Sequence, residues 1–255
     1  MTSALLPTPE AKQLGSPRQR PGAGRKIKTT LVPYGYLTPT MVLLIVLMVI
    51  PIVMVIGYSL MDNVIMKKNP QFVGFKHYSD ILTSESFWSA VTNTLFFTGV
   101  SVIAHLIIGL AFAMMLNSNL LGARTKALFR TIYVLPWLFT VAIIAVLWRL
   151  LLEPNGVINY LLMTSNLTSS QVEWLSQPET ALFAVTFINI WAGYPFYMVS
   201  LLAGLQGIPA DYYEAAQVDG ASAWQRFTRI TLPQLKPIII SMALLDFIWT
   251  TQQFA

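Results

Sequence analysis

The chain has 255 residues, 55% of them hydrophobic and only 11% charged, with a mean hydropathy of +0.60, which excludes an ordinary soluble domain. Its formal net charge of +5 does not point to nucleic acid, because much of the excess sits in Lys12, Arg18, Arg20, Arg25, Lys26 and Lys28, as in a cytoplasmic tail drawn to anionic headgroups. The absence of cysteine removes disulfides, thiolate metal sites and a cysteine nucleophile from consideration.

Residues 1–33 are rich in Pro, Gly, Ser and basic side chains and lack apolar periodicity, so a disordered cytoplasmic tail is expected there. The run that follows is too long for a secretory signal and has no small-residue cleavage pattern; residues 34–255 are read as one membrane domain. Tyr36 to Leu60 is the first span, long enough to cross a hydrocarbon core of roughly 30 Å, with a kink expected at Pro51. In the next loop Lys67, Lys68 and Lys76 balance Asp62, Asp80 and Glu85, and Phe87 and Trp88 suit the outer interface. Val91 to Leu116 is the second span, followed by a turn with Arg124, Lys126 and Arg130 that reads as cytoplasmic. Ile132 to Leu152 is the third, kinked at Pro136, with Arg149 near enough to its end to snorkel. Glu153 to Gln177 has two acidic residues and no Lys or Arg, so it belongs outside. Thr180 to Leu205 is the fourth span and Ile238 to Phe254 the fifth, giving an all-α polytopic bundle with the N-terminus inside.

Between the last two spans, residues 206–235 form a long polar interval. Pro209 suits a first helical turn and Gly220 the left-handed position past a helix end, which predicts a helix over Ala210 to Asp219. Ser222 and Gln225 have capping-box spacing, and a second helix is expected over Trp224 to Ile230, stopped by Leu232-Pro233. An arbitrary amphipathic loop would lie on the membrane surface. The order of residues here points elsewhere. Glu214-Ala215-Ala216, then Asp219-Gly220, then Ile230-Thr231-Leu232-Pro233 resemble the EAA loop of binding-protein-dependent ABC importer permeases, and the flanking Ala203-Gly-Leu-Gln-Gly-Ile-Pro209 and Leu235-Lys-Pro237 resemble the maltose-type carbohydrate branch.

That resemblance implies a type I importer permease fold and a loop that couples to a cytosolic ATPase. Ala215, Ala216 and Gly220 would permit close backbone approach in a groove, and Glu214 would offer a charge to a basic partner. It further implies a second permease chain as heterodimer partner, two ATPase subunits that bind ATP and magnesium, an extracytoplasmic solute-binding protein, and residence in a bacterial inner membrane. Family members continue through a glycine-rich external turn and a sixth span; this sequence shows five, and a shortened chain is expected.

No GxxxxGK[ST] phosphate loop occurs, so no cofactor or catalytic residue is expected on this chain and a partner must supply ATP hydrolysis. His105 and Asp246 are the ionisable residues deep in the spans. Taken as isolated groups they make a poor proton relay or ion cage, which disfavours an ion-coupled carrier. His105 is expected to be a packing residue, since one imidazole without a second ligand is no metal site. Asp246 is weighed evenly between a helix contact and a pathway role.

A sugar offers many hydroxyls and a few apolar faces, so neutral amides beside aromatic rings suit it better than charges do. Trp249-Thr-Thr-Gln252-Gln253 is unusually polar for a lipid-facing helix, and Asn189 and Phe196 share one helical face. These stretches resemble the substrate-lining segments of maltose-type permeases, which implicates Trp137, Asn189, Gly193, Phe196, Gln252 and Gln253, with Trp249 a turn away. The bland alternative is that these side chains only join helices. Within the family, a polyol or glycerol phosphate remains an alternative solute, although a phosphate would want Arg or Lys on the pathway. A non-transporting scaffold would leave the polar run and the loop unexplained.

Overall fold

The computed structural model describes residues 23–62, 69–118 and 121–254. The expected tail over residues 1–22, and Lys67 and Lys68, lie outside the described residues. The chain divides into two compact units, Met1–Thr83 and Ser84–Ala255.

In the first unit, α1 (Ala23–Leu44) runs through a π-turn at Ile45–Val49 into α2 (Ile50–Ser59). Residues 23–33 are therefore helical, which corrects the expectation of disorder up to Pro33. Extending an existing helix gains a hydrogen bond per residue without a new nucleation cost, and the Arg and Lys of this stretch are good helix formers. A short antiparallel pair, Met61–Asp62 with Gln71–Phe72, leads to α3 (Lys76–Leu82), where the Tyr78 hydroxyl hydrogen-bonds Ser59 Oγ at 2.6 Å.

The second unit contains α4 (Glu85–Asn117), α5 (Ala123–Leu138), α6 (Val141–Leu152), α7 (Val157–Thr164), α8 (Pro178–Gln206), α9 (Ala210–Val218), α10 (Ala223–Arg226) and α11 (Leu232–Phe254). Five helical stretches among the described residues are long and apolar enough to cross a membrane, at Tyr34–Ser59, Glu85–Asn117, Val141–Thr164, Thr180–Gln206 and Ala223–Gln253. The expected third span is not one kinked helix. It breaks at Phe139 and Thr140, both extended, and Thr140 restarts it by accepting a hydrogen bond from the Ile143 N–H. Pro136 has already cost α5 one backbone hydrogen bond, so the Thr cap makes a break cheap here.

Two other prolines are absorbed differently. A proline ring clashes with the carbonyl four residues back, which for Pro51 is Leu47 and for Pro233 is Arg229. Both carbonyls lie inside π-turns, Ile45–Val49 and Phe227–Thr231, whose wider winding makes room. Leu232-Pro233 consequently does not stop a helix, as the sequence led us to expect; the chain continues straight into α11.

The centre of the unit is the α4–α8 contact. Ser101, His105, Gly109 and Ala113 recur every four residues on α4 and are all buried, forming one ridge in which Ser101, Gly109 and Ala113 are small. Tyr197, Met198, Leu201 and Leu205 of α8 fill the facing groove, with Leu235 and Met242 of α11 closing the core. A side chain at Gly109 would collide with the Cβ of Tyr197 and come within 3.0 Å of the Met198 backbone nitrogen. Gly109→Leu is thus expected to force α4 and α8 apart at a cost of about 1–3 kcal/mol or more. Thermal unfolding in detergent should show a lowered midpoint; a midpoint equal to that of the parent would contradict the close crossing.

Candidate functional site

The end of α5, the start of α6 and the inner faces of α4, α8 and α11 surround a cavity of about 640 Å³. Helical spacing explains which side chains reach it. On α11, Asp246, Trp249, Thr250 and Gln253 follow the i, i+3, i+4, i+7 rule, and on α8 Asn189, Gly193 and Phe196 do the same. Trp137, just before the break after α5, supplies the third wall.

Aromatic rings dominate one side. Phe196 lies between Trp137, at 6.1 Å between centroids, and Trp249, at 5.9 Å, so that three helices contribute to one ring cluster. Neutral polar groups border the rest: Asn189, Thr250 and Gln253. The Asn189 side-chain amide nitrogen is buried and has no hydrogen-bond partner among the described residues. Of the sequence-derived candidates, Trp137, Asn189, Gly193, Phe196, Trp249 and Gln253 all border the cavity. Gln252 does not border it; both glutamines are exposed, and a rotation of about 100° along the helix separates Gln252 from Gln253.

His105 and Asp246 are not isolated, which corrects the reading from sequence. His105 Nδ1 lies 2.8 Å from Asp246 Oδ2, and His105 Nε2 lies 3.0 Å from the Asn189 carbonyl oxygen. A carbonyl can only accept, so Nε2 carries a hydrogen and a second proton is shared between Nδ1 and the carboxylate. Whichever atom holds it, the pair is neutral overall. Thr250 Oγ1 donates to Asp246 Oδ1 at 3.0 Å, and the Tyr197 hydroxyl lies near the carboxylate outside hydrogen-bonding geometry. One imidazole thus ties α4 to α8 and α11. Gly193 has a role that sequence did not disclose, because a Cβ there would overlap the His105 ring at Nε2 and Cε1.

At the other end of α11, the polar interval folds as an elbow. Gly220 has φ +75°, and Ser222 and Gln225 form the reciprocal capping box that the spacing predicts. The Tyr213 hydroxyl bonds Thr231 Oγ1 at 2.9 Å, fastening α9 to the π-turn that opens α11. Glu214, Ala215, Asp219, Gly220, Leu232 and Pro233 are exposed, while Ala216 and Ile230 are half-buried. Val218 and Trp224 are 89% and 70% exposed, an apolar surface at the tip of the elbow. Arg226 and Arg229 border a polar cavity of about 380 Å³ with Asp219 and Gln225.

Sequence reasoning also passed over Asn159. It is buried beneath the loop expected outside, where its amide donates to the Pro154 and Val172 carbonyls at 3.1 and 2.9 Å and accepts from the Val172 N–H and the Trp174 indole, each at 3.2 Å. Nothing in its local pattern marks it.

Residues 105–255 match the family described as the inner-membrane component of binding-protein-dependent transport systems. The chain is 38% identical to the trehalose/maltose transport system permease protein MalF of Thermococcus litoralis, over 84% of this chain and 72% of that one. It is 33% identical to the trehalose transport system permease protein SugA of Mycobacterium tuberculosis, over 85% of this chain and 68% of that one. Among solved structures, a bacterial ABC transporter involved in the import of the acidic polysaccharide alginate superposes with a TM-score of 0.70 at 31% identity, covering 88% of this chain and 74% of that one.

The buried pair yields a direct test. His105→Ala should cost about 3–5 kcal/mol, because it leaves the Asp246 carboxylate buried without its partner. The double variant His105→Leu, Asp246→Leu should recover most of that loss. Equal stability of the single variant and the parent, read by thermal unfolding of the purified protein, would refute the pairing.

Proposed function

We propose that this chain, which belongs to the family of inner-membrane components of binding-protein-dependent transport systems, is the permease subunit of an ATP-driven importer that moves a carbohydrate by alternating access. The observation that carries the reading is the cavity inside the helix bundle, walled by three aromatic rings and by neutral amide and hydroxyl groups. Rings stack on the apolar faces of a sugar, and amides exchange hydrogen bonds with its hydroxyls. Relatives named for trehalose and maltose support the same substrate class.

In this reading the elbow is the coupling element. Val218 and Trp224 seat in a groove of a cytosolic ATPase, Ala215, Ala216 and Gly220 allow close approach, and Glu214 pairs with a basic group of that partner. ATP and magnesium are held by two such ATPase subunits, and a second permease chain completes the pathway. A solute-binding protein delivers the sugar on the outer side; a related alginate transporter has been solved with its periplasmic protein bound. The N-terminus then lies in the cytoplasm of a bacterial cell, since the loop with Arg124, Lys126 and Arg130 and the elbow with Arg226 and Arg229 carry the positive bias.

The test is uptake and ATP hydrolysis by the assembled complex in proteoliposomes, with a panel of sugars on the cognate binding protein. One sugar is expected to stimulate both activities. Gly220→Leu, which places a branched residue at a left-handed position costing about 1–2 kcal/mol, should leave insertion intact and break the link between hydrolysis and uptake. Normal uptake by this variant would contradict the coupling assignment, and hydrolysis that depends on the elbow but answers to no sugar would remove the carbohydrate reading.

A further inference from the structure

None of the residues of α9 is buried; only Tyr213 and Ala216, three positions apart and so on one side of the helix, are half-buried, while Glu214, Ala215 and Val218 are exposed. A helix of nine residues is marginal by itself in water, so its place is set by what its inner side touches. Ala216 offers only a methyl group. The Tyr213 hydroxyl reaches Thr231 Oγ1 at 2.9 Å, across 18 positions of chain. Thr231 is 5% exposed, and Leu235, Met242, Asp246 and Thr250 continue from it as buried residues of α11, the last two on the cavity wall. The covalent path between the same two helices runs round the elbow, through Gly220 at φ +75° and the four-residue α10. A turn at glycine is the part of that path least able to resist bending.

Resting on the coupling role proposed above for the elbow, we infer that Tyr213 is a positioning residue for transport: its hydroxyl bond to Thr231 fixes α9 to the base of α11, so that a displacement of α9 by the ATPase reaches α11 instead of being absorbed at the Gly220 turn. A hydrogen bond weakens steeply with distance and angle, so it resists sliding where an apolar contact would not. The bond also joins the two inner sides directly, next to Glu214 and Ala215 on one helix and at the head of the buried residues of the other.

The measurement is uptake and ATP hydrolysis in the same proteoliposomes, expressed as solute moved per ATP hydrolysed by the assembled transporter. Tyr213→Phe and Thr231→Val each remove one partner of the bond and should lower that ratio by about threefold or more. The double variant should fall no further than the single ones, because all three delete the same bond. Thr231→Ser, which keeps the hydroxyl, should hold the parent ratio. A ratio unchanged in Tyr213→Phe overturns the assignment, including the case where uptake and hydrolysis drop together because less transporter assembles. So does a double variant whose loss is the product of the two single losses. If Thr231→Val does not assemble, Tyr213→Phe and Thr231→Ser decide. Gly220→Leu in the same vesicles separates this assignment from the reading beneath it. A parent-like ratio there removes the coupling role of the elbow and this assignment with it, whereas a lowered ratio there beside a parent-like one in Tyr213→Phe removes the assignment alone.

Discussion

The bond between His105 and Asp246 organises the membrane core, because it joins residues 141 positions apart and leaves neither able to exist there alone. An unpaired carboxylate within a bilayer is costly, about 2.5–3.5 kcal/mol on insertion scales, and the partner that relieves it also fixes where α4 and α11 meet. The imidazole's other nitrogen spends its hydrogen on the Asn189 carbonyl, so the side chain of Asn189 is placed at the cavity by the same contact. Gly193 is required to be small for the ring to fit. One ring joins three helices, and Phe196 of α8 and Trp249 of α11 lie beside it on the cavity wall, 5.9 Å apart between centroids and tilted by 49°.

From that core α11 runs without a stop to the elbow. At one end it carries Asp246, Trp249 and Gln253 on the cavity wall; at the other the π-turn at Phe227–Thr231 absorbs Pro233 and meets α9 through Tyr213 and Thr231. A continuous helical stretch links the elbow to the residues proposed to hold the solute. A chain broken at Leu232-Pro233 would have offered no such rod. The break in the preceding span does the opposite: with Phe139 and Thr140 extended, Trp137 belongs to a separate segment from α6 and sits at the cavity edge on a local corner. Backbone of this irregular kind is tolerated at membrane depth where it lines a cavity.

Local physics made much of this legible beforehand. Long apolar runs marked the spans, Gly220 announced its positive φ, and Ser222 with Gln225 announced a capping box, because each of these depends on residues a few positions apart. Asn189 and Phe196 shared a cavity as their spacing implied. What escaped was set by distant partners or by competition between local rules. His105 and Asp246 looked isolated because no periodicity links α4 to α11, and the room that Gly193 makes for the ring was hidden because that ring comes from another helix. Pro136 and Pro233 carry the same chemistry, yet one precedes a break and the other is absorbed; the difference lies in Thr140, which can cap a new helix, and in a π-turn, which sequence patterns do not mark. Gln252 and Gln253 are equivalent in composition, and only helix rotation separates them.

That last pair gives the most direct test of the pathway itself. The sequence has no cysteine, so Gln253→Cys and Gln252→Cys each give this chain a single thiol. The rate of maleimide labelling of each is to be measured in the assembled transporter, with and without the transported sugar. If the cavity between α5, α8 and α11 is where the solute sits, sugar slows labelling at Gln253→Cys and leaves Gln252→Cys unaffected. Equal rates with and without sugar at Gln253→Cys would contradict it.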